Sequence, residues 1–113
     1  MTANSPNTNT PPEKCLLQGS RFDVHAMELT GRDGKTYVRE AIRHPGAVVL
    51  LPLVDDDRVV MIANSRPTVG ETLLEVPAGT RERGETVLET AHRELIEETG
   101  YTAAVLSELH QFY

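Results

Sequence analysis

Apolar positions change their spacing along this chain, and each change marks a different element. Residues Met1 to Glu13 are Asn, Thr and Ser with three prolines and almost nothing apolar to bury, so ordering them would cost entropy with no compensation. A disordered tail is expected there, drawn to residue 18, with one folded domain running from residue 19 to 113. Phe22 to Thr30 favours an extended chain, Gly31-Arg32-Asp33-Gly34 supplies turn chemistry, and Lys35 to Ile42 resumes with Tyr37, Val38 and Ile42. That pattern predicts a β-hairpin. His44-Pro45-Gly46 breaks the chain, and the continuous apolar stretch Ala47 to Val54 predicts a central strand buried on both faces. After the polar turn Asp55-Asp56-Asp57, Arg58 to Ala63 predicts its hairpin partner. Ser65 to Glu71 is expected as a loop, and Thr72 to Val76 as a short strand that stops at Pro77.

From Thr86 the period becomes helical. Leu88, Ala91 and Leu95 share one face, while Glu89, Arg93, Glu97, Glu94 and Glu98 occupy the others. Thr86 followed three residues later by Glu89 has the form of a capping box, and Gly100 stands where a left-handed residue ends a helix. Ala103 to Leu109 is expected to be another strand. Strands, one helix, then a strand imply a mixed α/β or α+β layer structure. One helix covers one face of such a sheet, so the stop at Tyr113 reads as a domain lacking the element for the other face.

Composition narrows the class. At 113 residues, 39% of them hydrophobic and 25% charged, one small globular domain is the expectation. The net charge is -6, and no run of Lys and Arg could follow a phosphate backbone, so polymeric nucleic acid is excluded as a partner. An acidic protein still binds small anions where divalent cations bridge the two. Cys15, the single cysteine, cannot form an internal disulfide, and the N-terminus lacks the pattern of a secretory signal, which predicts a reducing, cytoplasmic setting. The apolar run Ala47 to Val54 is interrupted by Pro52 and far too short to span a membrane.

The chemistry concentrates between Gly79 and Tyr101. Glu97 and Glu98 stand three and four residues after Glu94 on one helical stripe, where like charges repel. Hard carboxylate oxygens so spaced are what Mg²⁺ or Mn²⁺ requires, and a bound cation would relieve the repulsion. Pro77 and Gly79 bend the preceding loop so that backbone carbonyls can approach the same end of the helix. Arg93, four residues from both Glu89 and Glu97, is placed to hold those two carboxylates. On the helix alone, a merely solvated acidic face is the commoner case, roughly two in three. Fixing Gly79, Glu85, Arg93, Glu94, Glu97, Glu98 and Gly100 together has a chance probability on the order of 10⁻⁸ at average residue usage, which removes coincidence.

Residues Gly79 to Tyr101 resemble the Nudix hydrolase signature at every fixed position, including its bulky apolar sites at Leu95 and Tyr101. The resemblance implies a mixed-sheet α/β/α sandwich, truncated here at its C-terminus. It implies Glu94 and Glu98 as principal metal ligands, Glu97 as an assistant, the Ala78 carbonyl as a further ligand, and Arg93 and Glu85 as orienting residues. Arg43-His44-Pro45-Gly46-Ala47-Val48-Val49 and Leu74-Glu75-Val76-Pro77-Ala78-Gly79 are similar to the ADP-ribose pyrophosphatase branch. That similarity implies a homodimer built from the N-terminal strands, Arg66 on the diphosphate or terminal ribose, and Arg39 or Glu40 near a shared nucleotide pocket. In that branch a further glutamate and a proline follow the signature, and both would fall after Tyr113.

The implied reaction is Mg²⁺-dependent hydrolysis of a nucleoside diphosphate linked to X, with ADP-ribose yielding AMP and ribose 5-phosphate. The alternatives are a nucleotide sugar, a dinucleoside polyphosphate or a nucleoside triphosphate as substrate, or a domain that binds nucleotide without turnover. His92 on the helix, and His25, His44 and His110, have no partners at metal-ligand spacing, and neither they nor Cys15 are assigned a role.

Overall fold

Glu13 anchors a strand where a tail was expected. The computed structural model describes residues 11–113, so the part of that expectation covering residues 1–10 lies outside the described residues. Strand β1 (Glu13–Gln18) pairs antiparallel with β2 (Asp23–Thr30), which pairs antiparallel with β3 (Thr36–Arg43). The ladder pairs the side of β1 that faces β2, and the Glu13 carboxylate meets His25 Nδ1 at 2.9 Å and forms an ion pair with Arg43. Residues 13–18 are therefore part of the fold. The β2–β3 hairpin is as expected, its turn closed by Gly34 N–H donating to the Gly31 carbonyl at 3.0 Å.

The chain divides between His44 and Pro45 into two compact units, where one core from residue 19 onward was expected. In the second unit the apolar run does not make one strand. It gives β4 (Ala47–Val49) and β5 (Leu53–Asp55), separated at Pro52, which cannot donate to a ladder. Neither strand is buried on both faces, since Val49 is 61% and Leu53 65% exposed. β5 pairs with β6 (Arg58–Val59), with Asp57 N–H donating to Asp55 Oδ1 at 3.1 Å across the turn. The expected loop at 65–71 is shorter than its composition suggests. β7 (Ile62–Arg66) and β8 (Glu71–Glu75) form an antiparallel hairpin whose turn is closed by Gly70 N–H on the Arg66 carbonyl at 2.8 Å. β9 (Ala78–Thr80) returns to pair with β4, and Leu50 N–H extends that contact to the Pro77 carbonyl at 2.8 Å. Ala103 to Leu109 holds no strand.

The one helix among the described residues, α1 (Val87–Thr99), has the ends its sequence prescribes. Thr86 Oγ1 accepts from Glu89 N–H at 3.2 Å, and the Glu89 carboxylate accepts from Thr86 N–H at 2.7 Å. Gly100 takes a left-handed φ of 75° and donates to the Ile96 carbonyl at 2.9 Å. Ala91 and Leu95 bury against Leu50, with Val48, Ala103 and Leu106 packed around them. Leu88, expected on that face, lies in the first turn ahead of this core and is 55% exposed. The class is α+β, with every ladder antiparallel and a single helical layer among the described residues.

Candidate active site

The helix α1 packs on β9 and β4, which sets its acidic face against the backbone at Ala78 and Gly79. Glu94 is buried there, and a Cβ built on Gly79 would fall inside its carboxylate. Only glycine permits that approach. One turn further along, Glu98 Oε2 accepts from Ala78 N–H at 3.1 Å. Two carboxylates from successive turns thus meet one short piece of backbone.

A single guanidinium organises their surroundings. Arg93 Nε and Nη2 donate to the two Glu85 oxygens at 2.6 and 2.8 Å, and Nη2 also donates to the Thr80 carbonyl at 3.1 Å. Its Nη1 donates to Glu94 Oε1 at 2.6 Å and to Glu97 Oε2 at 3.3 Å. All five donors of the side chain are used, and the Glu85 pair is bidentate. The sequence placed Glu89 under Arg93. Instead Glu89 is engaged by the helix cap, and Glu85 takes its place. Bonds from Arg93, then from Glu82 N–H, hold the Glu85 carboxyl down to about 2, and its partner Arg93 is pushed upward. Thr90, fully buried, donates from Oγ1 to Glu85 at 2.9 Å and secures the same oxygen.

Among the described residues no three His, Cys, Asp or Glu side chains converge as a closed metal cluster. Glu97 is more than half exposed, and among the described residues it reaches Arg93 alone. The donors present are nevertheless all hard oxygens, and the cradle around Gly79 brings Glu94 and Glu98 to the same backbone, the set a small divalent cation takes. Glu94, Glu98, Glu97 and the Ala78 carbonyl are the groups that could hold it.

The other expected site residues are Arg66, Arg39 and Glu40. Arg66, at the end of β7, donates from Nε and Nη2 to Glu75 at 2.8 and 2.7 Å, and its positive charge is reinforced by Glu75 and then Glu98. Arg39 and Glu40 are adjacent on β3 in the first unit, so they project to opposite faces of its sheet and no single surface carries both. Arg39 lies over the Tyr37 ring at 5.9 Å.

A family model described as the NUDIX domain matches residues 43–113. The chain belongs to the Nudix family. It is similar to an ADP-ribose pyrophosphatase of Bacillus subtilis (strain 168), 39% identical over 87% of this chain and 53% of that protein. It is also similar to a methanol dehydrogenase activator of Bacillus methanolicus, 40% identical over 81% of this chain and 49% of that one. A solved structure, of an ADP compounds hydrolase, superposes with a TM-score of 0.69 at 29% identity, covering 91% of this chain and 58% of the other. The chain therefore has a Nudix fold and spans about half the length of the curated relatives it matches.

Within this Nudix site, sequence reasoning missed three groups: Thr90, the Thr80 carbonyl and Glu75. Thr90 sits four residues after the N-cap and was readable only as a polar position facing inward. Thr80 acts through its backbone, which no residue type announces. Glu75 stands inside the Leu74-to-Gly79 stretch, but its partner Arg66 reaches it diagonally across the β7–β8 hairpin, out of ladder register.

Proposed function

We propose that this protein hydrolyses the pyrophosphate bond of a nucleoside diphosphate linked to X, with ADP-ribose as substrate and AMP and ribose 5-phosphate as products. The observation that carries this reading is the seating of Glu94 and Glu98 against the Ala78–Gly79 backbone. The relatives named for ADP-ribose and ADP compounds support an ADP moiety in the substrate.

Mg²⁺, or Mn²⁺ in its place, held by Glu94, Glu98, Glu97 and the Ala78 carbonyl, would neutralise diphosphate charge and acidify a water molecule. The chain's own residues prepare that site. Arg93 and Glu85 keep Glu94 and Glu97 in fixed rotamers and have no donor left over for substrate. Arg66 is available to the diphosphate as a planar, permanently charged donor. Water adds to one phosphorus, the bridging oxygen leaves with its electron pair on the other phosphate, and one proton is released.

A second copy of the chain is the proposed partner, through the sheet β1–β2–β3. Its edges β1 and β3 are unpaired among the described residues, and Leu16, Leu17, Val38 and Ile42 are more than half exposed on it. Arg39 or Glu40 would then serve a nucleotide pocket shared between copies. A reducing, cytoplasmic setting is the proposed location, supported by the free and exposed Cys15. No helix among the described residues is long and apolar enough to cross a membrane.

The test is turnover. The purified protein with Mg²⁺ should release AMP from ADP-ribose faster than from a nucleotide sugar, a dinucleoside polyphosphate or a nucleoside triphosphate. Glu98→Gln should lose at least about a hundredfold, the upper range for disturbing a residue that merely orients a metal ligand. Equal turnover by that variant would sink the assignment.

A further inference from the structure

We infer that Glu75 is a positioning residue for substrate, aiming the Arg66 guanidinium at the diphosphate; the inference rests on the function proposed above. Across the β7–β8 ladder the residue opposite Arg66 is Glu71, whereas Glu75 is opposite Ile62. The two ends are four residues of strand apart, roughly 13 Å at ordinary strand rise. Arg66 passes over the nearer carboxylate and extends along the hairpin to the farther one, which it grips with both Nε and Nη2. Asn64, between them on the same face, donates to Glu75 Oε2 at 3.2 Å and fixes that carboxylate from the side. Arg66, and then Asn64, hold the Glu75 carboxyl below its usual range.

The direction of this reach matters. Glu75 lies at the end of β8 that leads through Val76 and Pro77 into Ala78, the residue bonded to Glu98. Arg66 accordingly feels the Glu98 charge as well as that of Glu75. The side-on pairing spends Nε and one Nη2 proton, leaving Nη1 with no hydrogen-bond partner among the described residues. An open guanidinium edge beside the acidic end of α1 suits a phosphate oxygen held from the other side by a metal.

A purely structural role accounts for this poorly. Arg66 is about half exposed, and exposed ion pairs add little to stability. Were holding the hairpin the purpose, Glu71 directly across the ladder would serve with less ordering of a long side chain. Reaching Glu75 instead orders the guanidinium before substrate arrives, which lowers the entropy lost on binding.

The experiment compares Glu75→Gln, Glu75→Asp, Glu71→Gln, Arg66→Ala and the Glu75→Gln/Arg66→Ala double variant in the whole protein. ADP-ribose turnover with Mg²⁺ is measured alongside calorimetric binding of ADP-ribose with Ca²⁺. Glu75→Gln should raise KM, and weaken binding, about tenfold, the worth of ordering one long side chain. kcat should stay nearly constant. Glu75→Asp should recover much of the loss, Glu71→Gln should match the parent, and the double variant should be no worse than Arg66→Ala alone. Thermal unfolding of each variant separates a folding defect, and where Glu75→Gln unfolds early the Glu75→Asp and Arg66→Ala pair carries the comparison. Unchanged KM in Glu75→Gln, or losses that add to those of Arg66→Ala, would overturn the inference while leaving the proposed hydrolase intact. A parent protein that neither turns over nor binds ADP-ribose would overturn both.

Discussion

Gly79 has no side chain, and Glu94 occupies the volume one would need. Gly79→Ala must therefore push the helix or the carboxylate away, an overpacking change worth about 1–3 kcal/mol. Urea unfolding should register that cost, and turnover should fall further than stability alone explains because Glu94 moves. Glu85 gives a residue-level pH prediction. Its carboxyl is held down to about 2 in the folded chain against an ordinary 4.5, first by Arg93 and then by Glu82 N–H, so folding favours the ionised form. The stabilisation is complete above about pH 4.5 and is lost as pH falls through the folded value. Unfolding midpoints measured between pH 5 and 2 should decline, and Glu85→Gln should flatten part of that decline. If the variant and the parent ran parallel, the ion pair would not contribute. The acidic residues of this site were legible because their spacing matches a helix, whereas Glu85 in place of Glu89 was not. Helical spacing points Arg93 at Glu89, four residues before it; Glu85 precedes the helix, and the loop path from Glu82 to Glu85 brings it close.

At the scale of elements, α1 was readable to its ends, since a capping box and a left-handed glycine are local devices and need no tertiary context. Thr86→Ala should cost about 1 kcal/mol, the usual worth of an N-cap oxygen, and Gly100→Ala a further 1–2 or so for a Cβ in the left-handed region. Chemical denaturation of the two variants and their double checks both, and the effects should add because the sites are at opposite ends. The strands were less legible. Ala47 to Val54 has the composition of one buried strand, but Pro52 has no N–H to donate to a ladder and the segment splits. Ser65 to Glu71 has the composition of a loop, yet Arg66 and Glu71 already face each other in the ladder. Ala103 to Leu109 has the propensity for a strand and no partner to pair with among the described residues. In each case pairing decided the outcome, and pairing is not a property of the segment alone.

For the molecule as a whole, ligand linkage offers the broadest test. A cation and nucleotide that bind only the folded chain should raise its stability by about 2.7 kcal/mol at a hundredfold excess over Kd. Calorimetric melting with Mg²⁺ and AMP should show the rise, and EDTA should abolish it; a melting curve indifferent to both would count against the acidic face as their site. The Arg93 guanidinium meanwhile clasps Glu85, Glu94, Glu97 and the Thr80 carbonyl at once, joining strand, loop and helix in one knot. Arginine keeps its proton at any pH a protein survives. The knot thus has an acidic limit and no alkaline one, so a fall in turnover under basic conditions would report the reacting groups themselves and not a loosening of the frame that holds them.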